Sequence, residues 1–506
     1  MARGPLPSPV SLDPSSPVPL HVQLREALRT AILDRRLPRG ARLPASRVLA
    51  ADLGCARGTV VLALEQLAAE GYLTARPGSA TRVAATLPDD TVPSPGRIAH
   101  PATVFAPRLS QRGTDLAAAP PRRYMAGSAA PDAFALGRPA HDAFPYAVWA
   151  RLLQAEWRRG PADEPDPRGS PALRSAIAAY LAQARGVACE AEDVIVTAGI
   201  RQSLRLLAEL LLDPGETALI EEPGFPGIAQ ALSSAGLRPV PVPVGPGGLS
   251  VARAAILAPG ARLAVVTPAH HYPLGHAMSL ENRLDLLAWA DSTAGWIVED
   301  DYDGAYRYAG RPLAPLRALN RAGRVVYVGS FSKVLLPALG LSYLVLPRGL
   351  VAPVNQALAE IGPTPPGIGQ WALARFIEDG HLAGHLRRTR RLYAQRQGAL
   401  VEAAGRVAAD VITVAPMEGG MHLIARPGPA WAPSLSDAAA AAALGRAGIS
   451  AVALSAYHAG PPEPGLLLGY AAVPERAIGP AVRQMAEALR RAAGVRGPPL
   501  GDAPSR

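Results

Sequence analysis

Five short apolar stretches, each followed by polar, aromatic or glycine residues, constrain the fold more than any other feature of this sequence. They lie at residues 194–197, 217–220, 263–266, 296–298 and 324–328, with helical segments between them. Strands that alternate with helices form a mostly parallel sheet, whose ligand sites lie at the carboxyl ends of the strands. Residues 123–374 are therefore predicted to be a large α/β domain with its functional groups at one edge of the sheet.

The last apolar stretch leads into Gly329-Ser330-Phe331-Ser332-Lys333, which contains the only lysine of the chain. Lysine and arginine together number 51, and all the others are arginine. A surface cation can be either residue, but only a lysine amine can lose its proton and form a Schiff base. Ser330 and Ser332 add hydroxyls suited to a phosphate. We therefore predict that Lys333 is the reactive residue of this domain.

The other predicted strands also end in residues that can bind a ligand. The backbone after the first strand opens a helix, and N–H groups at a helix start suit a phosphate. Because the ends of parallel strands meet at one edge, we expect these residues to lie near Lys333. In chain order the residues after these strands are 198–202, 222–225, 267–275 and 299–303.

The N-terminal region, residues 15–84, is predicted to be a separate small domain. Apolar spacing indicates helices at 20–33, 47–53 and 57–70, and Ser46 is a suitable N-cap for the second. Residues 71–83 are typical of a β-hairpin. Helix, turn, helix and hairpin in this order form a winged helix-turn-helix.

The N-terminal motifs resemble those of the GntR family of bacterial transcription factors. They are Ser46-Arg47, Arg57-Gly58-Thr59-Val60 and Glu70-Gly71-Tyr72-Leu73, and Ala80 departs from the usual second glycine of the wing. The resemblance implies operator DNA as a partner, with Arg57 and Thr59 at the start of the recognition helix nearest the bases. It assigns further DNA contacts to Arg47, Arg76, Gly78 and Arg82.

The α/β region resembles fold-type-I aminotransferases that use pyridoxal phosphate (PLP). The whole chain resembles the MocR subfamily of GntR regulators, through additional stretches such as Asn282-Arg283 and His385-Leu386-Arg387-Arg388. The resemblance implies a winged helix-turn-helix, a large PLP-binding domain and a small α+β domain at residues 375–492. Residues 85–122 are expected to be a linker and residues 493–506 a disordered tail.

The resemblance also implies a role for each candidate residue. Lys333 would bind PLP covalently, Asp300 would pair with the pyridinium nitrogen, and Tyr302 would bond the phenolic oxygen of the ring. Phe225 would stack on the ring, and Tyr272 would also contact the cofactor. The phosphate would be held by Ser330, Ser332 and the backbone of Ile200 and Arg201.

Three positions depart from the family pattern. Gly340 replaces an arginine that contacts the phosphate, Glu164 replaces a tyrosine that reaches the partner subunit's phosphate, and Leu467 replaces the arginine that binds a substrate carboxylate. Arg201 is a candidate replacement cation. Three functions remain open: a regulator that senses an amine or PLP, an active aminotransferase with a DNA-binding appendage, and a regulator that has lost PLP.

Bulk composition adds only broad limits. The formal net charge of +10 permits a polyanionic partner without establishing one. Cys55 and Cys189 lie in different predicted domains, so we expect no disulfide and a reducing compartment. No apolar run reaches 18 residues and no signal peptide is apparent, which favours a cytoplasmic protein. A homodimer is expected by resemblance, and no metal site is predicted.

Overall fold

The structure is a computed structural model that divides into two compact units, Met1–Arg108 and Leu109–Arg506. It describes residues 11–74, 80–88, 109–118, 133–160, 166–308, 314–320, 322–361, 365–431, 433 and 435–495. Three residues of the sequence analysis, Arg76, Gly78 and Glu164, lie outside these ranges. Each unit is described separately below.

The first unit is a three-helix module with a β-hairpin. Its core is formed by the apolar faces of the helices, including Leu24, Leu49, Val60 and Leu67, all fully buried. β1 and β2 pair antiparallel, with Leu73 opposite Val83. The elements are α1 (Leu20–Leu33), α2 (Ser46–Asp52), α3 (Arg57–Ala69), β1 (Leu73–Thr74) and β2 (Arg82–Val83). This is the winged helix-turn-helix that the sequence predicts.

Ser46 does not cap α2 as the sequence suggested. The helix begins at Ser46 itself, Ala45 takes the capping position, and none of the described side chains caps the helix. The Ser46 hydroxyl instead lies 3.5 Å from Nε of Arg57, the first residue of α3. A serine just before an apolar helical pattern can fall on either side of the boundary, since helix limits vary by a residue or two.

The second unit is organised around an eight-stranded sheet. Five neighbouring strands, β9, β8, β7, β4 and β5, run parallel, and β10 lies antiparallel between β3 and β9. The strands are β3 (Val194–Thr197), β4 (Thr217–Glu222), β5 (Arg238–Gly245), β6 (Gly248–Leu249), β7 (Leu263–Val266), β8 (Trp296–Asp301), β9 (Val325–Ser330) and β10 (Ser342–Val345).

Strand β5 carries a proline at every second position. The Arg238 N–H donates to Glu216 on the β4 side, so the N–H groups of alternate residues face β4 and the prolines face the other edge. On that edge β5 pairs, within the described ranges, only with the two-residue β6. Prolines are tolerated here because the backbone N–H groups they remove are on the edge of the strand that forms the fewest hydrogen bonds.

Helices cover both faces of this sheet. Val298 and Val326 pack on one face with α7, α8 and α12, whereas Ile297 and Val325 pack on the other with α9 and α10. Alternate residues of each strand thus pack into the apolar cores on opposite faces of the sheet, which explains the continuous apolar runs in the sequence. The helices are α4 (Gln111–Ala118), α5 (Tyr146–Arg159), α6 (Pro171–Arg185), α7 (Ile200–Leu211), α8 (Pro226–Ser234), α9 (Val251–Leu257), α10 (Leu280–Ser292), α11 (Leu316–Leu319), α12 (Arg348–Ile361), α13 (Gln370–Glu378), α14 (His381–Val407), α15 (Asp437–Arg446) and α16 (Glu475–Ala493).

A smaller antiparallel sheet follows the long helix α14. Its strands, in spatial order β11, β12, β14 and β13, pack against α14, α15 and α16 through a continuous core. They are β11 (Ile412–Val414), β12 (His422–Pro427), β13 (Val452–Ala453) and β14 (Leu466–Gly469). A mostly parallel large sheet and a small α+β region together match the predicted fold class.

Candidate functional site

The residues predicted to bind a cofactor lie at the carboxyl ends of β3, β4, β7, β8 and β9. Lys333 follows β9 by three residues, and Asp300 stands in the neighbouring β8, opposite Val328 of β9. Parallel strands in register bring their ends to the same edge, which is why positions far apart in sequence converge. Tyr272 and Phe225 enter from the loops after β7 and β4.

Lys333 directs its amine to the loop before α5. Nζ donates a hydrogen bond of 3.2 Å to the carbonyl oxygen of Gly137. Burial lowers the pKa of Lys333, and the carboxylates of Asp303 and Asp300 oppose this shift without reversing it. Gly137 has a φ of +67°, and a Cβ there would stand 2.4 Å from Nζ, so the contact requires glycine. A lowered pKa favours the neutral, nucleophilic amine.

Asp300 is a buried carboxylate, 7% exposed, with no hydrogen-bond partner among the described residues. Burial raises its pKa to about 8; the charges of Asp301, Asp303 and Glu221 add to the rise, and Lys333 opposes it. A buried charge without a partner is costly, so the position suits a cation. The protonated ring nitrogen of PLP is such a cation, and the residues present therefore fit this cofactor.

His270 links Tyr302 to Asp303. Its Nδ1 lies 2.9 Å from the Tyr302 hydroxyl and 3.0 Å from Oδ2 of Asp303. A carboxylate only accepts, so Nδ1 carries the proton shared with Asp303. Burial raises the pKa of Tyr302 well above its ordinary value, and Asp303 is the second cause. The hydroxyl predicted to bond the ring oxygen thus contacts His270 in this structure.

Aromatic side chains form one wall of the site. Tyr272 meets Phe225 edge to face with ring centres 5.8 Å apart, and it meets Tyr302 in the same way at 5.8 Å. The hydroxyls of Tyr272 and Tyr457 are 2.9 Å apart. Such a wall can hold a planar ring and give it a hydrogen-bonding rim.

The predicted phosphate end combines hydroxyls with a helix start. Ile200 is the first residue of α7, and the preceding Gly199 has a φ of +115°. The Ser330 hydroxyl accepts the Ser332 N–H at 3.2 Å and lies 3.1 Å from that of Ser342. Arg201 donates to Gln230 at 3.1 Å. The first turn of α7 and these hydroxyls offer donors to an anion.

Two departures from the family pattern can be located. Gly340 has a φ of +60°, and a Cβ added there would meet no atom within 4 Å. Leu467 is fully buried in an apolar cluster with Ile424 and Leu454, beside the partly buried Tyr272. The position expected to carry a carboxylate-binding arginine in aminotransferases is thus occupied by a buried apolar side chain.

The predicted DNA contacts lie on the first unit. Arg57 and Thr59 stand in the first turn of α3, with Arg57 exposed and Thr59 half-buried. Arg47 is exposed on α2. Arg82 on the hairpin is exposed and donates to the Gly40 carbonyl at 2.9 Å, which ties the wing to the turn before α2. An exposed helix start with arginines beside it suits insertion into a DNA groove.

The sequence analysis missed four residues of the site: Gly137, His270, Asp303 and Tyr457. Asp303 lies three residues after Asp300 and His270 two residues before Tyr272, so their place at strand ends was a usable signal. Gly137 and Tyr457 reach the site from distant segments, and only the fold brings them there.

Comparison with known proteins first defines the class. Residues 137–484 match the family described as aminotransferase class I and II, and residues 20–83 match bacterial regulatory proteins of the gntR family. The crystal structure of LysN, an α-aminoadipate aminotransferase from Thermus thermophilus, has 25% identity and a TM-score of 0.65, over 72% of this chain and 93% of that chain. The chain thus combines a GntR helix-turn-helix with an aminotransferase fold.

Relatives with both parts identify the family. A Rhizobium meliloti protein named probable rhizopine catabolism regulatory protein MocR is 40% identical over 485 residues, 94% of this chain and 95% of its own. The pyridoxine biosynthesis transcriptional regulator PdxR of Corynebacterium glutamicum is 32% identical, over 82% and 85%. This chain belongs to the MocR-type GntR regulators and is a DNA-binding transcriptional regulator. Its aminotransferase fold implies PLP binding. In the described part of the chain, no helix is long and apolar enough to cross a membrane.

Proposed function

We propose that this regulator binds PLP through Lys333 and senses a small amine there, so that ligand state changes operator binding. The observation that carries the proposal is the burial of Lys333 and Asp300 at the same edge of the sheet. The only lysine of the chain has its amine buried where its pKa is lowered. Asp300, whose carboxylate opposes that lowering, is buried without a hydrogen-bond partner among the described residues. A purely structural role would not call for an unpaired buried acid beside a buried amine.

The remaining candidate residues take supporting roles in this proposal. When bound, PLP supplies a carbonyl carbon for amines and an electron-withdrawing ring. Asp300 keeps the ring nitrogen protonated, Phe225 covers one ring face, and Tyr272 and Tyr302 position the ring edge. Ser330, Ser332 and the α7 backbone at Ile200 and Arg201 hold the phosphate. Arg201 compensates for the cation absent at Gly340, while Glu164 weakens this end if it faces the site.

The proposed ligand is an amine that needs no recognition of an α-carboxylate. Leu467 and its apolar neighbours support this choice, since burying a carboxylate there would leave it unpaired. The same observation argues against an amino-acid aminotransferase with a DNA-binding appendage. We further propose a homodimer, because sites of this fold are normally completed by a second subunit, and we keep the domain limits 15–84, 123–374 and 375–492.

The cofactor part is tested by the visible absorption spectrum of the full chain with added PLP, compared with Lys333→Ala and Lys333→Arg. Arginine keeps the positive charge but cannot form the covalent link, so we expect the band of lysine-bound PLP in the parent only. Absence of the band in the parent would favour the alternative that the domain has lost PLP. A band that persists in Lys333→Arg would contradict the assignment of Lys333.

The regulatory part is tested by fluorescence anisotropy on the upstream region of its own gene and on random DNA of equal length. We expect tighter binding to the upstream region, a steep decrease with salt, and a change when an amine is added to the PLP-loaded protein. Equal affinity for both DNAs would refute operator binding. An amine effect that is unchanged in Lys333→Ala would refute sensing at this site.

A further inference from the structure

A cavity lies in the unit Leu109–Arg506, beside the candidate cofactor site. Its volume is about 710 Å³, within the range of small-molecule sites. Residues from the loop after β7, the segment after β8, helix α14 and the segment between β11 and β12 line it. His270 and Asp303 belong to both the cavity wall and the site described above, whereas Lys333 is not among the described lining residues. The cavity therefore adjoins the cofactor site and shares two residues with it.

The lining carries more positive than negative charge. Among the described residues, four arginines contribute to it, against the two carboxylates Asp303 and Glu418. Arg390 on α14 donates through Nε to the Ala305 carbonyl, and within the described ranges its two terminal nitrogens have no partner. Unsatisfied guanidinium nitrogens at a cavity wall are donors available to an anion.

Arg307 adds a second unsatisfied donor. Its terminal nitrogen pairs with Glu418, whose side chain is 64% exposed, whereas its Nε is buried without a partner in the described part of the chain. An exposed counter-ion contributes little energy and can be exchanged for a ligand. A buried N–H without an acceptor is costly and favours a ligand oxygen at this position.

His270 connects this cavity to the cofactor site. One edge of its ring bonds Asp303 and Tyr302 through Nδ1, and on the other edge the buried Nε2 has no partner among the described residues. Gly420 and Gly275 of the cavity wall cover that edge: a Cβ on Gly420 would stand 2.8 Å from Nε2, and one on Gly275 3.3 Å. Glycine at both positions lets the backbone pack closely against this edge of the ring.

We propose that this cavity binds a small organic carboxylate, held by Arg390 and Arg307 and detected by His270. A carboxylate only accepts, so it would bind Nε2 if the ring proton moved there from Nδ1. Nδ1 would then lose its donation to Asp303 and accept from the Tyr302 hydroxyl, which changes the hydrogen bonds next to the cofactor site. The site goes beyond the amine-sensing function, and only its coupling to PLP rests on that function. By reciprocity, any effect of the carboxylate on PLP affinity has an equal counterpart of PLP on carboxylate affinity.

Binding is measured by calorimetry on the PLP-free full chain with acetate, succinate and citrate, and with inorganic phosphate for comparison. Arg390→Gln and Arg307→Gln remove lining charges, and Arg391→Gln, exposed on the same helix outside the cavity, is the matched control. We expect binding of at least one carboxylate, weakened about tenfold in both lining variants and unchanged in the control, as for loss of a charge-assisted hydrogen bond.

Equal weakening in all three variants would show non-specific charge attraction and overturn the proposal. So would absence of binding by every carboxylate, or binding by phosphate alone. The use of PLP-free protein separates this test from the cofactor proposal, whose failure would leave carboxylate binding intact. Coupling is then tested by titrating PLP with and without the bound carboxylate: affinity changes in the parent and stays constant in His270→Gln, and a constant affinity in the parent refutes the coupling.

Discussion

The substitution Asp300→Asn should stabilise the PLP-free protein at high pH while it weakens PLP binding. Burial raises the pKa of Asp300 to about 8, above the ordinary value of 3.8. The folded state therefore holds a proton that the unfolded chain has already lost, so stability decreases as pH rises from about 4 to about 8. Asparagine carries no charge, so the variant lacks this contribution to the loss of stability with rising pH.

The change in unfolding free energy caused by Asp300→Asn has an upper limit and an expected value. A shift of about four pKa units corresponds to at most roughly 5–6 kcal/mol, at about 1.4 kcal/mol per unit. The neighbouring acids Asp301, Asp303 and Glu221 share this shift and can relax once one charge is gone. We therefore expect a gain of roughly 1–3 kcal/mol at pH 9, the cost of one buried group without a partner. Near pH 4 parent and variant should be equal.

The assay is urea unfolding of the PLP-free full chain, followed by circular dichroism at pH 5, 7 and 9. Asp291→Asn on α10 is the control, because its carboxylate is exposed and its replacement should change stability little. Glu221 and Glu299, whose pKa values burial raises to about 7, should leave a residual pH dependence in Asp300→Asn. A variant no more stable than the parent at pH 9, or one that retains PLP affinity, would refute the reasoning.

Three further substitutions test other parts of the molecule. Arg185→Met leaves the buried Asp301 without its ion-pair partner and should cost about 3–5 kcal/mol of unfolding free energy. Adding Asp301→Asn should recover most of this loss, and a double variant as unstable as the single one would contradict the reasoning. Leu467→Ala should cost about 2–5 kcal/mol in thermal unfolding, since it opens a void in a buried cluster, and a change well below that range would show that the wall is loosely packed. Arg57→Ala should weaken operator binding by about 1–3 kcal/mol in anisotropy, whereas the exposed Arg36→Ala should not, and equal losses would remove Arg57 from base recognition.

Residues with a local signal were accessible from the sequence. Lys333 stands out by residue type, and Asp300 and Tyr302 follow a strand whose apolar run is unambiguous. The parallel order of the strands then places them at one edge without further information. For this reason the fold class and the family were both predicted, and both are confirmed by the sheet topology and by the matched families.

Other features depend on contacts that no local pattern encodes. Nζ of Lys333 bonds the carbonyl of Gly137, 196 residues earlier, and Tyr272 meets Tyr457, 185 residues later. The residues of β10 are mostly apolar like those of the neighbouring parallel strands, so its antiparallel direction could not be predicted from its composition. Helix α4 lies in a segment expected to be an irregular linker, because its eight residues are too few for a clear helical repeat.

The prolines of β5 also affect whether one molecule can pair its sheet with that of another copy. Pro239, Pro241 and Pro243 leave the outer side of this strand with carbonyl acceptors and no N–H donors along most of its length. Another extended chain at this edge could donate hydrogen bonds to the carbonyls but would find no N–H groups to accept from at the prolines. The short β6 already pairs with the last two residues of the strand. A sheet of eight strands thus ends in an edge that resists joining a neighbour's sheet, which limits aggregation while the protein folds.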